Sequence, residues 1–503
     1  MIGAARTVVL FGVLLQLAGF VKLLIIASYF GAGPILDAYY LGLVIPTFVA
    51  GVSVGVWQAG LVPPYVSAKA HGDEAAARRL GGSAVTWTAV CLMGISLFLI
   101  VTQGLVLPLL ERHVTTETAA ALGSTFALLV WMLPLQGIAD GGAFLLNAEG
   151  RFAAAASAPL LNALVGSAVL LSLGDRSISA LTWSLLAGLL VQCLAIMLTM
   201  RRVGIDLRPR FLLPAAPSQL LTAVAIPVVL SVLLGNFVPA FIQAVSARGG
   251  EGAISAMGYA WRLNNVLIQA VVISVSAVLL PYFSRLVAQQ KNAELRTGLV
   301  RVFAATLLFS LAAVVTVALG GEACVRILLE RGSFGSQDSQ LVAKVWLALT
   351  AGLFGATWSI FLSRLFQASG KLWLICLLGG ISVATNVFCA YALVTIWGVI
   401  GVALANSMGY TLVMWLSHRC AAGTLGPLLS GEALMFTLRA LLANGLAYAV
   451  GAWLLPSFLR PGSVSELACQ LLLVTAANLL VARSAPLKLR IRTLLMAGSP
   501  DGS

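Results

Sequence analysis

Long apolar runs alternate with short polar breaks along nearly the whole chain of 503 residues. Each run holds about 20 residues or more, which is the length that an α-helix needs to cross the hydrocarbon core of a bilayer. The pattern predicts an all-α polytopic membrane protein with fourteen helices, over residues 7–30, 38–62, 82–107, 118–145, 152–173, 178–200, 219–246, 254–283, 297–320, 340–368, 372–395, 398–417, 434–456 and 465–482.

Two short motifs occur twice, each time after corresponding predicted helices. PYVSAK (64–69) and NAEGRF (147–152) return as PYFSRL (281–286) and QASGKL (367–372), at offsets of 217 and 220 residues. The offset spans six helices, an even number, so both copies have the same orientation. A parallel repeat places a pseudo-two-fold axis along the membrane normal and the substrate path between the halves. The predicted divisions are an N-terminal lobe (1–210), a C-terminal lobe (211–425), and helices 13 and 14 with a cytoplasmic tail (426–503).

The charges are few and unevenly distributed. Charged residues make up 9% of the chain, against about 25% in a soluble domain, and the net charge is +13. With the N-terminus inside, the inner segments carry 20 Lys and Arg residues and the outer segments 7. This asymmetry predicts that both termini are cytoplasmic. It also explains the positive charge by contact with anionic lipid headgroups, so nucleic acid is not an expected partner.

Residues suited to catalysis or metal binding are scarce. The seven cysteines contain no CxxC pair, and the three histidines lie far apart. Among the carboxylates, Asp37 and Asp140 lie in or against predicted helices near their ends, and no Walker loop or GxSxG motif is present. We therefore expect no enzyme, no metal site, no cofactor and no ATP-driven transport by this chain alone.

Two cations lie deep in apolar helices. Lys22 is in the first predicted helix, where a charge costs about 2.5–3.5 kcal/mol on insertion scales and should face a protein interior or a wet cavity. A lysine in this position can also snorkel to the outer headgroups. Arg262 stands beside Asn264, Asn265 and Gln269 in the eighth predicted helix. A polar side on an apolar helix is typical of a wet cavity wall, so the two cations indicate an anionic ligand.

Asp37 follows the glycine turn GAG (31–33) at the start of the second predicted helix. Two interpretations are open. An acidic residue at a helix N-terminus can cap the helix, and the same residue can lie at the outer rim of the cavity. Arg364 lies near the inner end of its helix, which favours snorkelling.

The motifs together resemble the MurJ/MviN family of bacterial lipid II flippases, within the multidrug/oligosaccharidyl-lipid/polysaccharide exporter superfamily. The resemblance is carried by GFVKLLIIASYFGAGPILDAYYLGLVIP (19–46), LLNAEGRF (145–152), GYAWRL (258–263), LLPYFSRL (279–286) and the stretch 329–371 that begins LERGSF.

This resemblance implies a two-lobed, V-shaped bundle with a central cationic cavity in the bacterial inner membrane. It implies alternating-access transfer of a polyprenyl-diphosphate-linked saccharide from the cytoplasmic to the periplasmic leaflet, with the last two helices forming a groove for the lipid tail. Arg262 matches a cavity arginine of the family, Lys22 stands where arginine is usual, and Asp37 matches an acidic position. The implied partners are the lipid-linked saccharide, membrane lipids and, as further candidates, envelope-assembly proteins.

The sequence also departs from the family pattern. Gln16 and Ala50 stand at positions that resemble two further cavity arginines, and lysine is a poorer bidentate phosphate ligand than arginine. Three alternatives to lipid II transport therefore stay open. One is a flippase for an exopolysaccharide or O-antigen-type oligosaccharide, one is a MATE-like drug/cation antiporter, and one is a non-transporting scaffold for envelope assembly.

Overall fold

The computed structural model describes residues 2–205, 207–209, 211, 226–427, 431–453 and 464–483, and all regular secondary structure in those ranges is helical. The all-α class is therefore confirmed. Ten helices in the described ranges are long and apolar enough to cross a membrane, or up to twelve if two bent helix pairs each form one span. The predicted count of fourteen is not confirmed. A bilayer favours helices because each satisfies its backbone hydrogen bonds internally.

The chain divides into two compact units, Met1–Ser255 with Arg331–Gly335, and Ala256–Glu330 with Ser336–Ser503. A π-helical turn, Trp57–Leu61, joins the second and third helices of the first unit. The described helices that begin in the first unit are α1 (Ile2–Phe30), α2 (Pro34–Val56), α3 (Val62–Ala70), α4 (Glu74–Val101), α5 (Gln103–Glu111), α6 (Thr116–Leu129), α7 (Met132–Ala148), α8 (Phe152–Leu173), α9 (Ile178–Arg202), α10 (Ile226–Ser246) and α11 (Ala253–Ala288), and α11 continues into the second unit.

Glycines on α2 allow α10 to pack closely against it. A Cβ on Gly51 would lie 2.2 Å from Oδ1 of Asn236, and a Cβ on Gly55 would lie 2.7 Å from Cγ1 of Val232. Small residues are what close helix packing in membranes requires. By compactness α10 belongs to the first unit, whereas the sequence repeat counts it with residues 211–425. Compactness and repetition are different criteria, so the repeat-based boundaries stay a prediction.

The remaining described helices lie in the second unit: α12 (Asn292–Leu329), α13 (Ser336–Thr350), α14 (Leu353–Ala368), α15 (Leu372–Leu425), α16 (Gly431–Trp453) and α17 (Val464–Arg483). The long run α15 covers predicted helices 11 and 12, which meet at Gly398 with φ 55° and ψ −137°. Glycine adopts this conformation without a Cβ clash. Helices α16 and α17 pack on α12 and on each other, where Asn444 and Asn478 exchange side-chain hydrogen bonds of 3.2 and 3.1 Å.

The repeat is visible inside each unit. Tyr65 covers Gly81, whose Cβ would lie 3.3 Å from its ring, and Tyr282 covers Gly298 at 3.0 Å, with both members offset by 217 residues. The pair α6–α7 bends by 46°, and the pair α13–α14 bends by 42°. The same local packing and the same broken helix therefore occur in both copies, as a parallel repeat predicts.

Candidate functional site

The polar face predicted around Arg262 is present on α11. Arg262, Asn265 and Gln269 fall within a narrow arc of the helix, because they are spaced by three and four residues. Arg262 and Gln269 are exposed in the structure and Asn265 is half-buried. Asn264 lies on another face, where it is buried and accepts a 3.3 Å hydrogen bond from Oγ1 of Thr350. The helix thus presents one cation and two amides on one side and packs with the other.

Lys22 is half-buried, and its side chain extends from α1 toward α8 and α9. A Cβ on Gly166 would lie 2.6 Å from Nζ of Lys22 and 2.9 Å from the carbonyl oxygen of Ser184. The ammonium group therefore occupies space that only a glycine on α8 leaves open. A backbone carbonyl borders the same space, which is the kind of environment that a charge inside a membrane helix needs.

The carboxylate of Asp37 is buried and accepts three hydrogen bonds from the segment that precedes and begins α11. Its Oδ2 accepts from the backbone N–H of Gly252 at 2.8 Å, and its Oδ1 accepts from the backbone N–H of Ser255 at 2.7 Å and from the Ser255 hydroxyl. The N-cap residue of α2 is Gly33, and it makes no side-chain cap bond. Asp37 is therefore not the N-cap residue of α2, although it lies in the first turn of that helix, where a negative charge is favourable. Its carboxylate bonds to a distant segment. Its contact with cargo stays a prediction.

The other positions predicted from the family pattern are uncharged and differ in burial. Gln16 is exposed on α1, and Ala50 is buried on α2. Lys22, Asp37 and Gln16 belong to the first unit, whereas Arg262 and Asn265 belong to the second. Their convergence on one diphosphate stays a prediction. In the part of the chain that the structure describes, no group of three or more His, Cys, Asp and Glu side chains could hold a metal ion.

A cluster not predicted from the sequence lies at one end of the first unit. The hydroxyl of Tyr65 donates to Oε1 of Glu149 at 2.6 Å, and the ammonium of Lys69 forms an ion pair with Oε2. The side chain of Glu149 is 13% exposed, and that of Lys69 is 40% exposed. The cluster links α3 to the turn between α7 and α8 and so fixes these two segments of the unit against each other.

Electrostatics in this cluster favour the ionised carboxylate. Burial raises the pKa of Glu149, but the hydrogen bonds from Lys69 and Tyr65 outweigh it, so the pKa lies below its ordinary value of 4.5. Burial and the bond to Glu149 raise the pKa of Tyr65 well above its ordinary value of 10.0, so the phenol stays a neutral donor.

The signal for this cluster was in the two repeated motifs. Tyr65 and Lys69 come from PYVSAK, and Glu149 comes from NAEGRF, so the two motifs that reveal the repeat meet in space. In the second copies, serine (Ser369) and leucine (Leu286) stand at the positions of the glutamate and the lysine. The spacing of the two repeated motifs therefore indicated where the cluster forms. The ion pair itself is specific to the first copy.

The segment Arg331–Gly335 belongs to the first unit, although α12 before it and α13 after it belong to the second. The backbone N–H of Ser333 donates to the carbonyl oxygen of Ser28 at 2.9 Å, and Arg176 donates to the hydroxyl of Ser333 at 3.1 Å. Gly332 has φ 61° and lies so close to Ser28 that a Cβ would be 2.2 Å from its carbonyl oxygen. Glycine at this position is required by both the dihedral angle and the close approach.

Solved structures with the same fold are transporters. The chain superposes on a structure described as lipid II flippase MurJ in an inward closed conformation, with a TM-score of 0.78, 19% identity and coverage of 95% of this chain and 98% of that one. An inward-facing multidrug resistance MATE family transporter of the MOP superfamily matches with a TM-score of 0.70 and 17% identity, covering 82% of this chain and 94% of that one. The fold is therefore the one that these MurJ and MATE family structures share.

Comparison of the amino-acid sequence identifies the family to which the chain belongs. The family model described as lipid II flippase MurJ matches residues 26–473, so the chain belongs to the MurJ lipid II flippase family. A probable lipid II flippase MurJ from Rhizobium tropici is 27% identical over 358 residues, 67% of this chain and 65% of that protein. One from Rhizobium meliloti is 27% identical over 427 residues, 80% of this chain and 78% of that protein. Membership of a flippase family implies a lipid-linked substrate and agrees with the prediction that the chain is not an enzyme.

Proposed function

We propose that the chain transfers a polyprenyl-diphosphate-linked saccharide, such as a lipid II-like peptidoglycan precursor, from the cytoplasmic to the periplasmic leaflet by alternating access. The observation that carries the proposal is the family match over residues 26–473. Its orientation, with both termini in the cytoplasm of a bacterial inner membrane, follows from the distribution of Lys and Arg. MOP-superfamily structures in inward-facing and outward-facing conformations support alternating access for this fold.

The chemistry of α11 supports an anionic cargo. Arg262 is exposed on the same face as Asn265 and Gln269, so one guanidinium and two amide side chains belong to one side of the helix. A guanidinium binds phosphate oxygens through two parallel N–H donors, and the amides can bond sugar hydroxyls or further phosphate oxygens. A cationic drug would meet a like charge at this position, which disfavours the drug/cation antiporter.

The test is transfer of the lipid-linked saccharide by Arg262→Ala, in cells depleted of the native protein and in vesicles that contain the purified chain. Loss of one charge-assisted contact predicts a fall in transfer of about tenfold or more. Arg326→Ala is the matched control, because Arg326 is an exposed arginine at the end of α12 that pairs with Glu322 and Glu330. Undiminished transfer by Arg262→Ala would show that this face does not hold the cargo.

A second cargo, an exopolysaccharide or O-antigen-type lipid-linked oligosaccharide, is favoured by the uncharged Gln16 and Ala50 and by lysine at position 22. Fewer arginines provide fewer bidentate phosphate contacts. Depletion of the protein distinguishes the two cargoes, because the untransported lipid-linked saccharide accumulates in the inner leaflet and can be identified by mass spectrometry. Accumulation of the peptidoglycan precursor supports the first cargo, and accumulation of another glycan supports the second.

A further inference from the structure

A basic pocket lies at the end of the first unit where α4 begins and α9 ends. Its volume is about 950 Å³, and it is lined by four arginines, Arg78, Arg79, Arg201 and Arg208, together with Glu74 and apolar residues of 204–209. All four arginines are exposed in the structure. By the positive-inside distribution this end is the cytoplasmic one. The pocket contains none of the residues Lys22, Asp37 or Arg262, so it is separate from the cargo residues described above.

Arginines predominate among the charged residues of the described lining, which carries four guanidinium groups and one carboxylate, that of Glu74. Glu74 is engaged with Arg78, whose Nη2 lies 2.8 Å from Oε2, so the carboxylate neutralises one neighbour on its own helix. Like charges at close range repel, so such a cluster is stabilised when an anion binds among its members.

The turn after α9 fixes the position of one part of the pocket lining. After α9 the chain turns back at Gly204, which has φ 85°, and Ile205 is buried in the core cluster that includes Tyr65, Ala77 and Met200. The turn therefore places residues 204, 205 and 207–209 beside the first turns of α4. Arginines from α4, from the end of α9 and from the segment after it therefore line one pocket.

We propose that this pocket binds the diphosphate headgroup of a lipid in the cytoplasmic leaflet, as an anion site distinct from Arg262. A diphosphate offers several guanidinium groups more phosphate oxygens and more negative charge than a phosphodiester does. Guanidinium groups bind phosphate oxygens in bidentate geometry, and several can share one diphosphate. The apolar lining from Ile205 and Leu207 suits an amphiphile at the bilayer surface. This inference rests on the proposed function, since it names a second place where the same cargo chemistry is bound.

The test uses the purified full chain in nanodiscs of phosphatidylcholine that contain a low fraction of undecaprenyl diphosphate, with lipid retention measured by native mass spectrometry. In the Arg262→Ala background, which removes the cargo contact on α11, the added substitutions Arg79→Gln/Arg201→Gln should lower the retention of diphosphate lipid about tenfold relative to Arg262→Ala alone. Arg202→Gln is the matched control, because Arg202 is the exposed neighbour of Arg201 on α9 but does not line the pocket. Added to the same background, Arg202→Gln should leave lipid retention unchanged. Elution from size-exclusion chromatography confirms that each variant is folded.

Two further arms identify the source of the anion. Nanodiscs with phosphatidylglycerol replace the diphosphate with a phosphodiester, and free pyrophosphate added to phosphatidylcholine nanodiscs supplies the anion without a lipid. Equal loss of phosphatidylglycerol and diphosphate lipid on adding Arg79→Gln/Arg201→Gln would overturn the assignment to a diphosphate. Full displacement of the bound lipid by an equal concentration of pyrophosphate would overturn the assignment to a lipid.

Failure of this inference can be separated from failure of the proposed function. The Arg262→Ala variant should keep the retention that depends on Arg79 and Arg201, because that variant leaves the pocket intact. Transfer by the wild type, together with unchanged retention on adding Arg79→Gln/Arg201→Gln to Arg262→Ala, would refute the pocket and leave the function standing. Retention that depends on the two arginines, in a chain that transfers no lipid-linked saccharide, would refute the function and leave the pocket standing.

Discussion

Replacement of Asp37 by asparagine tests whether the buried carboxylate holds α2 to the segment 252–255. In the wild type both oxygens accept, one from the backbone N–H of Gly252 and the other from the backbone N–H and hydroxyl of Ser255. An asparagine side chain has nearly the same shape but only one acceptor oxygen. Whichever way the amide is turned, its NH2 group faces a backbone N–H. At least one donor therefore loses its acceptor, and every bond that remains is made to a neutral oxygen.

The size of the effect follows from this geometry. A hydrogen bond to a charged group contributes about 1.5–3 kcal/mol, and a buried donor left without an acceptor costs about 1–3 kcal/mol. Because these terms are not additive, we expect a loss of about 2–4 kcal/mol for Asp37→Asn. Ser255→Ala removes only the hydroxyl bond and should cost about 1 kcal/mol. Asp37→Ala removes all three bonds and should cost more than either.

The assay is thermal denaturation of the purified chain in detergent, followed by the fraction that remains monodisperse in size-exclusion chromatography. For a unit of this size, 1 kcal/mol corresponds to about 2–4 °C, so Asp37→Asn should melt about 4–16 °C below the wild type. Asp175→Asn is the control, because Asp175 is an exposed carboxylate in the loop after α8. If Asp37→Asn melted together with the wild type, or Ser255→Ala melted below Asp37→Asn, the carboxylate would not be the main attachment.

Two other changes in the first unit give independent tests. Glu149→Gln should lower the melting temperature at pH 7 by about 2–6 °C, because its two donors lose a charged acceptor at a partly exposed site. Since the folded pKa of Glu149 is lowered, this stabilisation is present above the ordinary value of 4.5 and is lost as pH falls through the folded value, so wild type and variant should converge in acid. Gly166→Ala should destabilise the folded chain by about 1–3 kcal/mol, because its Cβ would lie within 3 Å of the Lys22 ammonium and the Ser184 carbonyl oxygen. Gly123→Ala is the control and should not destabilise the chain, because the space around Gly123 is open. Convergence only at alkaline pH, or equal melting of the two glycine variants, would contradict these assignments.

The hydropathy pattern was sufficient for the class of protein. Because a bilayer admits only segments that satisfy their own backbone hydrogen bonds, long apolar runs had to become helices. The polar side of α11 could also be predicted from the sequence, because Arg262, Asn265 and Gln269 are spaced as residues on one helical face. The repeated PYxS motif correctly indicated repeated packing, as Tyr65 and Tyr282 each cover a glycine.

The sequence could not predict which group each buried charge contacts. Helical periodicity states which face a residue occupies, but it does not state which distant segment covers that face. Asp37 was placed correctly at the start of α2, yet its hydrogen-bond donors lie 215 and 218 residues away. A cap is a local interaction that sequence patterns can suggest, whereas this attachment exists only because the chain returns to the same place.

The sequence by itself determined that this is a helical membrane protein, that it carries motifs of the MurJ family, and that it has cations deep in apolar helices. Only the tertiary structure decided what those charges meet. The ammonium of Lys22 lies over Gly166 on a helix more than a hundred residues further along the chain, and the arginines of α4 and α9 line one pocket. Apolar patterning specifies which residues leave water because hydrophobic burial is non-directional. Hydrogen bonds and ion pairs are directional and short-ranged, so their partners are set by the packing of the helices.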